Sequence, residues 1–165
     1  MKIAVIPGSY DPMTLGHYDI VKRAAALFDK VIVAVMVNSE KIDRAMFSLE
    51  EKAQIARLTC SDIENAEVIV SEGMLWQLAK SVDACAIVKG IRNADDLVYE
   101  QTMAEYNREH YPDAETVFLT SYGDLNSISS TLVRKKILLG EFPTDMMSMN
   151  TREYVLSLVA KKIAF

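Results

Sequence analysis

Short apolar runs recur along the chain at Ile3–Ile6, Val31–Val37, Val68–Val70, Ala86–Val88 and Val117–Leu119. Runs unbroken by polar residues suit strands buried on both faces of a parallel sheet better than an exposed antiparallel one. Between them the apolar period changes. Val21, Ala24, Ala25 and Phe28 fall at i, i+3, i+4 and i+7, and Leu49, Ala53, Ala56 and Cys60 make a second helical stripe. The second helix starts at Ser48-Leu49-Glu50-Glu51, a capping-box pattern in which Ser48 and Glu51 satisfy free backbone N–H groups. Val155, Leu158 and Val159 mark a C-terminal helix. Met74–Ser81 reads as a short helix, and Arg92–His110 as a long one with poor periodicity. Strands alternating with helices imply βαβ units with right-handed crossovers. The expected architecture is a doubly wound, five-stranded parallel α/β sheet in one domain spanning residues 1–165, without repeat or linker.

In such a sheet, ligands bind beyond the carboxyl ends of the strands. The segment after the first run, GSYDPMTLGH (residues 8–17), lies there. Gly8 is expected to permit a sharp turn, and Gly16 to let a ligand approach the backbone. Ser9 offers a hydroxyl. His17 sits at the start of a helix, where free N–H groups and the positive dipole end attract phosphate. A lone histidine there is an ordinary structural residue. One within Gly-Ser-x-Asp-Pro-x-Thr-x-Gly-His has an anion to serve.

Charge narrows the partners. The chain of 165 residues carries a net charge of −5, which argues against broad nucleic-acid binding, since that needs a basic face. A local cluster of Lys and Arg can still hold a small phosphate ligand. No apolar run reaches the ~18 residues of a membrane helix, and the start lacks a signal-peptide pattern, so a cytoplasmic protein is expected. Cys60 and Cys85 read as buried thiols, and His110 as a surface residue.

GSYDPMTLGH resembles the (T/H)xGH signature of the nucleotidyltransferase superfamily. Three further segments follow in order: NSEKIDRAMFSLEEK (residues 38–52), VKGIRNADDLVYE (88–100) and NSISSTLVRK (126–135). Together they resemble the bacterial phosphopantetheine adenylyltransferase family over nearly the whole chain. The resemblance implies a Rossmann-like fold and transfer of the adenylyl group of ATP to 4′-phosphopantetheine, giving dephospho-coenzyme A and pyrophosphate. It further implies Mg²⁺ arriving with ATP, a homohexamer, and feedback inhibition by coenzyme A. No protein metal ligands are assigned.

The nucleophile of that reaction is already a phosphate oxygen, so catalysis reduces to alignment and charge neutralisation. By resemblance, His17, Lys41 and Arg92 are the catalytic set. Arg44 is a rival to Lys41, because the intervening IDRA is longer than the usual spacing. The ATP site would comprise Ser9, Tyr10, His17, Gly90, Ile91, Arg92, Glu100, Leu125, Asn126, Ser127, Ile128, Ser129, Ser130 and Thr131. The last three open a helix over Leu132–Leu139. Ser9, Lys41, Met74, Leu75 and Lys89 would meet the acceptor, although Met74 and Leu75 are equally readable as core. Lys89 stands where the family usually has arginine, keeping the charge but losing the planar fork. Asp95 and Asp96 read as helix caps. Two alternatives remain. One is another small nucleotidyltransferase with a different phosphate acceptor, and the other is a non-catalytic nucleotide-binding module.

Overall fold

The computed structural model describes residues 1–37 and 45–163. Five parallel strands form one sheet: β1 (Ile3–Gly8), β2 (Lys30–Met36), β3 (Ala66–Ser71), β4 (Ala86–Ile91) and β5 (Glu115–Thr120), in the order β3-β2-β1-β4-β5. The chain moves outward from β1 to β3, then returns to the other side of β1 to build β4 and β5. The reversal opens a crevice between the carboxyl ends of β1 and β4. Helices α1 (Leu15–Ala25), α2 (Leu49–Thr59), α3 (Leu75–Ser81), α4 (Ala94–His110), α5 (Ser130–Leu138) and α6 (Arg152–Ile163) cover the sheet.

Alternation along the strands divides the core between the two faces. Ala4, Ile6, Val31, Val33, Val35, Ala86 and Val88 pack with α1, α2, α5 and α6 residues, Ile20, Val21, Ile55, Val133 and Val155 among them. Val5, Ile32, Ala34 and Ile87 point the other way, against Ala79 and Leu78 of α3. Helices on both faces make the sheet doubly wound, as the alternation of runs requires. Burial on both faces holds for β1, β2 and β4. It fails at the edges, where β3 and β5 are only partly covered and Val70 is exposed. An edge strand has one neighbour, and its flanking helices do not reach around it.

Other details differ from the sequence reading. Phe28 lies beyond the end of α1, in the turn into β2. A 3-10 helix, Gly123–Ser127, follows β5. Cys60 is buried, and its thiol is raised to about 12 by burial and the nearby Asp62. Cys85 is exposed at the entry to β4, contrary to the buried reading. Its Sγ lies 3.4 Å from the Ile3 carbonyl. His110 is exposed, with its ring stacked on Trp76 at 5.2 Å. Among the described residues, no helix is long and apolar enough to cross a membrane.

Candidate active site

A cleft of about 1240 Å³ opens at the β1–β4 crevice. The N-terminal residues of α1 and α5 line it, and neither helix carries an acidic residue in its first turn. Helices α2 and α4 do, with Glu50-Glu51 and Asp95-Asp96. The dipoles of α1 and α5 are therefore left for an anion from outside.

Gly8 does not make the turn expected of it. Its backbone continues β1, and the left-handed residue is Tyr10, at φ 44°. A Cβ on Gly8 would lie 2.7–2.9 Å from three carbons of the Tyr10 ring. That ring is buried, its hydroxyl donates to the Ile6 carbonyl at 2.9 Å, and its edge packs on His17 at 5.1 Å between centroids. Gly8 thus makes room for the ring that braces His17. Gly8→Ala is expected to destabilise the fold by about 1–3 kcal/mol, the usual cost of overpacking, read as a lower urea midpoint. An unchanged midpoint would mean that the Tyr10 ring moves aside freely.

His17 is the third residue of α1. Thr14 is the N-cap, and the two form a reciprocal capping box. The Thr14 N–H donates to His17 Nδ1 at 3.0 Å, and the His17 N–H donates to Thr14 Oγ1 at 3.4 Å. Burial, and then the Arg92 and Lys89 cations, lower the imidazole from 6.5 to about 4. The ring is therefore neutral at pH 7 in the free protein. Between about pH 6.5 and 4 the unfolded chain binds the extra proton and the folded chain does not, so stability falls as pH drops through that window. A ¹⁵N titration of the free protein should give His17 a midpoint near 4. A midpoint near 6.5 would place the ring in water and the cations far from it.

Both cations come from β4 and its end, and each is held by a carboxylate one helical turn from the other on α4. Lys89 Nζ lies 3.0 Å from Glu100 Oε1, and Arg92 Nε lies 3.1 Å from Asp96 Oδ2. Asp96 thus partners arginine, and its carboxylate also accepts the Arg92 backbone N–H at 3.2 Å at the start of α4. The α4 N-cap is Asn93, whose side chain accepts from the Asp96 N–H at 2.9 Å. Gly90 admits α1 closely, since a Cβ there would meet Ile20 Cγ1 at 3.1 Å.

At α5, Ser129 is the N-cap and accepts from the Leu132 N–H at 3.1 Å. Ser130 donates to the Pro12 carbonyl at 2.7 Å, and Thr131 Oγ1 accepts from Arg134 Nη2 at 3.2 Å. The α5 start is thereby tied to the opening loop. Arg134 strengthens the tie by donating to the Asp11 carbonyl at 2.7 Å. The buried Asp11 carboxylate accepts N–H bonds from Met46 and Phe47, each at 3.0 Å. Asp11 and Arg134 lie within the quoted motifs, but the sequence gives no sign of contacts spanning 35 and 123 residues.

Of the expected residues, Ser9, Tyr10, His17, Met74, Lys89, Gly90, Arg92, Glu100, Leu125, Ile128, Ser129, Ser130 and Thr131 line the cleft. Ile91 is buried in the β4–β5 ladder, where its carbonyl accepts from the Ser121 N–H at 2.9 Å. Asn126 and Ser127 sit exposed in the 3-10 helix. Leu75 lies instead on a small slot of about 100 Å³ that shares Lys89 and Glu100 with the cleft. Asn107 also lines that slot and is only 4 % exposed. Nothing at sequence level marks it, apart from its place on α4. Lys41 and Arg44 lie outside the described residues.

The chain is similar to known proteins over nearly its whole length. A family profile described as cytidylyltransferase-like matches residues 5–136. A phosphopantetheine adenylyltransferase of Caldanaerobacter subterraneus subsp. tengcongensis is 41 % identical over 157 residues, covering 93 % of this chain and 97 % of that one. One from Acidovorax sp. is 40 % identical over 162 residues, covering 98 % and 97 %. Among solved structures, Plasmodium falciparum nicotinic acid mononucleotide adenylyltransferase complexed with NaAD aligns with a TM-score of 0.64 at 14 % identity, covering 94 % of this chain and 95 % of that chain. That last likeness concerns the fold alone. With the (T/H)xGH loop and the two β4 cations meeting in one crevice, and relatives of this identity over almost its full length, the chain belongs to the phosphopantetheine adenylyltransferase family.

Proposed function

We propose that the protein transfers the adenylyl group of ATP to 4′-phosphopantetheine, releasing pyrophosphate and forming dephospho-coenzyme A. One observation supports this above the others. A neutral imidazole, a lysine and an arginine converge where the acid-free N-termini of α1 and α5 also lie. Such a set orients two anionic phosphates and neutralises the charge that grows between them. No side chain has to act as nucleophile, because a phosphate oxygen of the acceptor attacks the α-phosphorus and pyrophosphate leaves. His17 donates to the α-phosphate. Lys89 holds the acceptor phosphate, and Arg92 grips the β- and γ-phosphates. The N–H groups of α5 receive the departing pyrophosphate. The slot lined by Leu75 and Asn107 suits part of the arm of the acceptor, which has apolar stretches and amides.

Of the cleft carboxylates, Asp96 and Glu100 are paired with Arg92 and Lys89 and Asp11 with Arg134, and among the described residues no three His, Cys, Asp or Glu side chains cluster to hold a metal. This donor set suits a Mg²⁺ ion carried on the nucleotide phosphates rather than one lodged in the protein. When bound, the ion offsets phosphate charge. The same reading includes a cytoplasmic homohexamer inhibited by coenzyme A. Val98 and Tyr99, 65 % and 66 % exposed on α4, favour association.

Arg92→Ala is expected to weaken ATP binding about tenfold, as for loss of one charge-assisted bond, and Arg92→Lys by less. Equal dissociation constants for wild type and Arg92→Ala would remove Arg92 from the ATP site. The function itself is tested by pyrophosphate release with ATP and a panel of acceptor phosphates. Release with 4′-phosphopantetheine is expected. Release with a different acceptor would reassign the substrate, and none with any would indicate a binding module.

A further inference from the structure

We infer that Thr14 is a positioning residue that fixes which nitrogen of His17 carries the hydrogen, so that Nε2–H is the donor presented to substrate. The inference rests on His17 acting as the phosphate donor. A neutral imidazole has one N–H and one lone pair, and the partner of one nitrogen sets the identity of the other. At Nδ1 the partner is the Thr14 backbone N–H, 3.0 Å away, which can only donate. Thr14 Oγ1 also lies 3.0 Å from Nδ1 and already accepts from the His17 N–H, so its own hydrogen is free to point at the ring. Nδ1 therefore faces two donors and keeps its lone pair.

The opposite tautomer would set two N–H groups against each other. Thr14 is only 1 % exposed, so its N–H would have no water to turn to. Buried donors without partners are costly, which biases the ring towards Nε2–H. The Tyr10 edge packs against the same ring and limits its rotation. The N-cap of α1 and the proton position of His17 are thus one structural feature. The threonine of the motif does more than start a helix.

The two roles separate by substitution. Serine keeps both the acceptor for the His17 N–H and the hydroxyl donor for Nδ1. Asparagine is also a good N-cap, but its capping oxygen carries no hydrogen and would face Nδ1 as a second acceptor. Long-range ¹H–¹⁵N spectra of histidine-labelled free protein read the tautomer, with a His110→Gln variant assigning the signals. Wild type is expected to show Nε2–H. Thr14→Asn should shift the proton towards Nδ1 and lower kcat about ten- to hundredfold, the usual loss when a histidine's orienting partner is removed. Its KM for ATP and its melting temperature should change little, and Thr14→Ser should restore both the Nε2–H spectrum and most of kcat. If Thr14→Asn does not fold, Thr14→Asp, whose carboxylate also caps a helix and likewise brings no hydrogen to Nδ1, takes its place with the same paired readouts. Nδ1–H in wild type, a kcat loss without a tautomer shift, a shift without a kcat loss, or neither change overturns the inference. The spectra need no substrate, so failure here leaves adenylyl transfer standing. Absence of pyrophosphate release would remove that reading while leaving the tautomer as measured.

Discussion

Replacing His17 with alanine should lower kcat by ~10²–10³ while leaving ATP affinity nearly unchanged, since removal of one preorganised donor to a developing oxyanion typically costs that much. The site is built for such a split. The imidazole is neutral, held by Thr14 at Nδ1 and braced by Tyr10 at its edge. On the proposed assignment it adds little to the long-range attraction of a triphosphate, which falls to Arg92 and the helix N-termini. Its hydrogen bond strengthens as the α-phosphorus becomes crowded and its oxygens gain charge, and only interactions stronger in the transition state raise kcat. Asparagine at position 17 should recover little, because its shorter amide cannot reach the same point while keeping the capping contact. Single-turnover kinetics alongside ATP titration would decide. Equal losses of affinity and turnover would make His17 an ordinary binding residue.

The second large effect concerns Lys89. Its ammonium is 3.0 Å from Glu100, and the two side chains are only 23 % and 16 % exposed. On the proposed assignment, Lys89→Ala removes a charge-assisted partner of the acceptor phosphate and also leaves Glu100 uncompensated beside an incoming dianion. The KM for 4′-phosphopantetheine should rise about ten- to hundredfold, from ~1.5–3 kcal/mol for such a bond, with much less change for ATP. The pair allows a sharper check. Adding Glu100→Gln to Lys89→Ala should recover part of the loss, because the repulsion goes with the charge, and contacting residues are non-additive in this way. Lys89→Arg should be tolerated, with two parallel bonds available to the phosphate. An unchanged acceptor KM in Lys89→Ala would move the acceptor phosphate to another cation.

The sequence announces the central strands and the capped helices because their signals are local. Val31–Val37 and Ala86–Val88 are apolar throughout since both faces of β2 and β4 are covered. The Ser48–Glu51 box is complete within four residues and forms as read. Helix α4 had no clear period for a physical reason. It buries little beyond Asn107, while Asp96 and Glu100 face the cleft cations. A helix with one face on a site and another exposed has no apolar stripe to show. The role of Gly8 is not legible in the sequence because its cause, the Tyr10 ring, returns from two residues ahead along a path the sequence does not trace. Asp11, Arg134 and Asn107 carry no local signal because their partners or cavity are assembled from distant segments.

The central claim is a statement about which bond forms, so the product tests it most directly. Incubation of the protein with MgATP and 4′-phosphopantetheine, followed by mass analysis of both products, should give dephospho-coenzyme A and pyrophosphate in equal amounts, at a rate that collapses in His17→Ala. ADP with a phosphorylated acceptor would show attack at the γ-phosphorus, and unreacted ATP would show no transfer. Either result would contradict adenylyl transfer at this cleft.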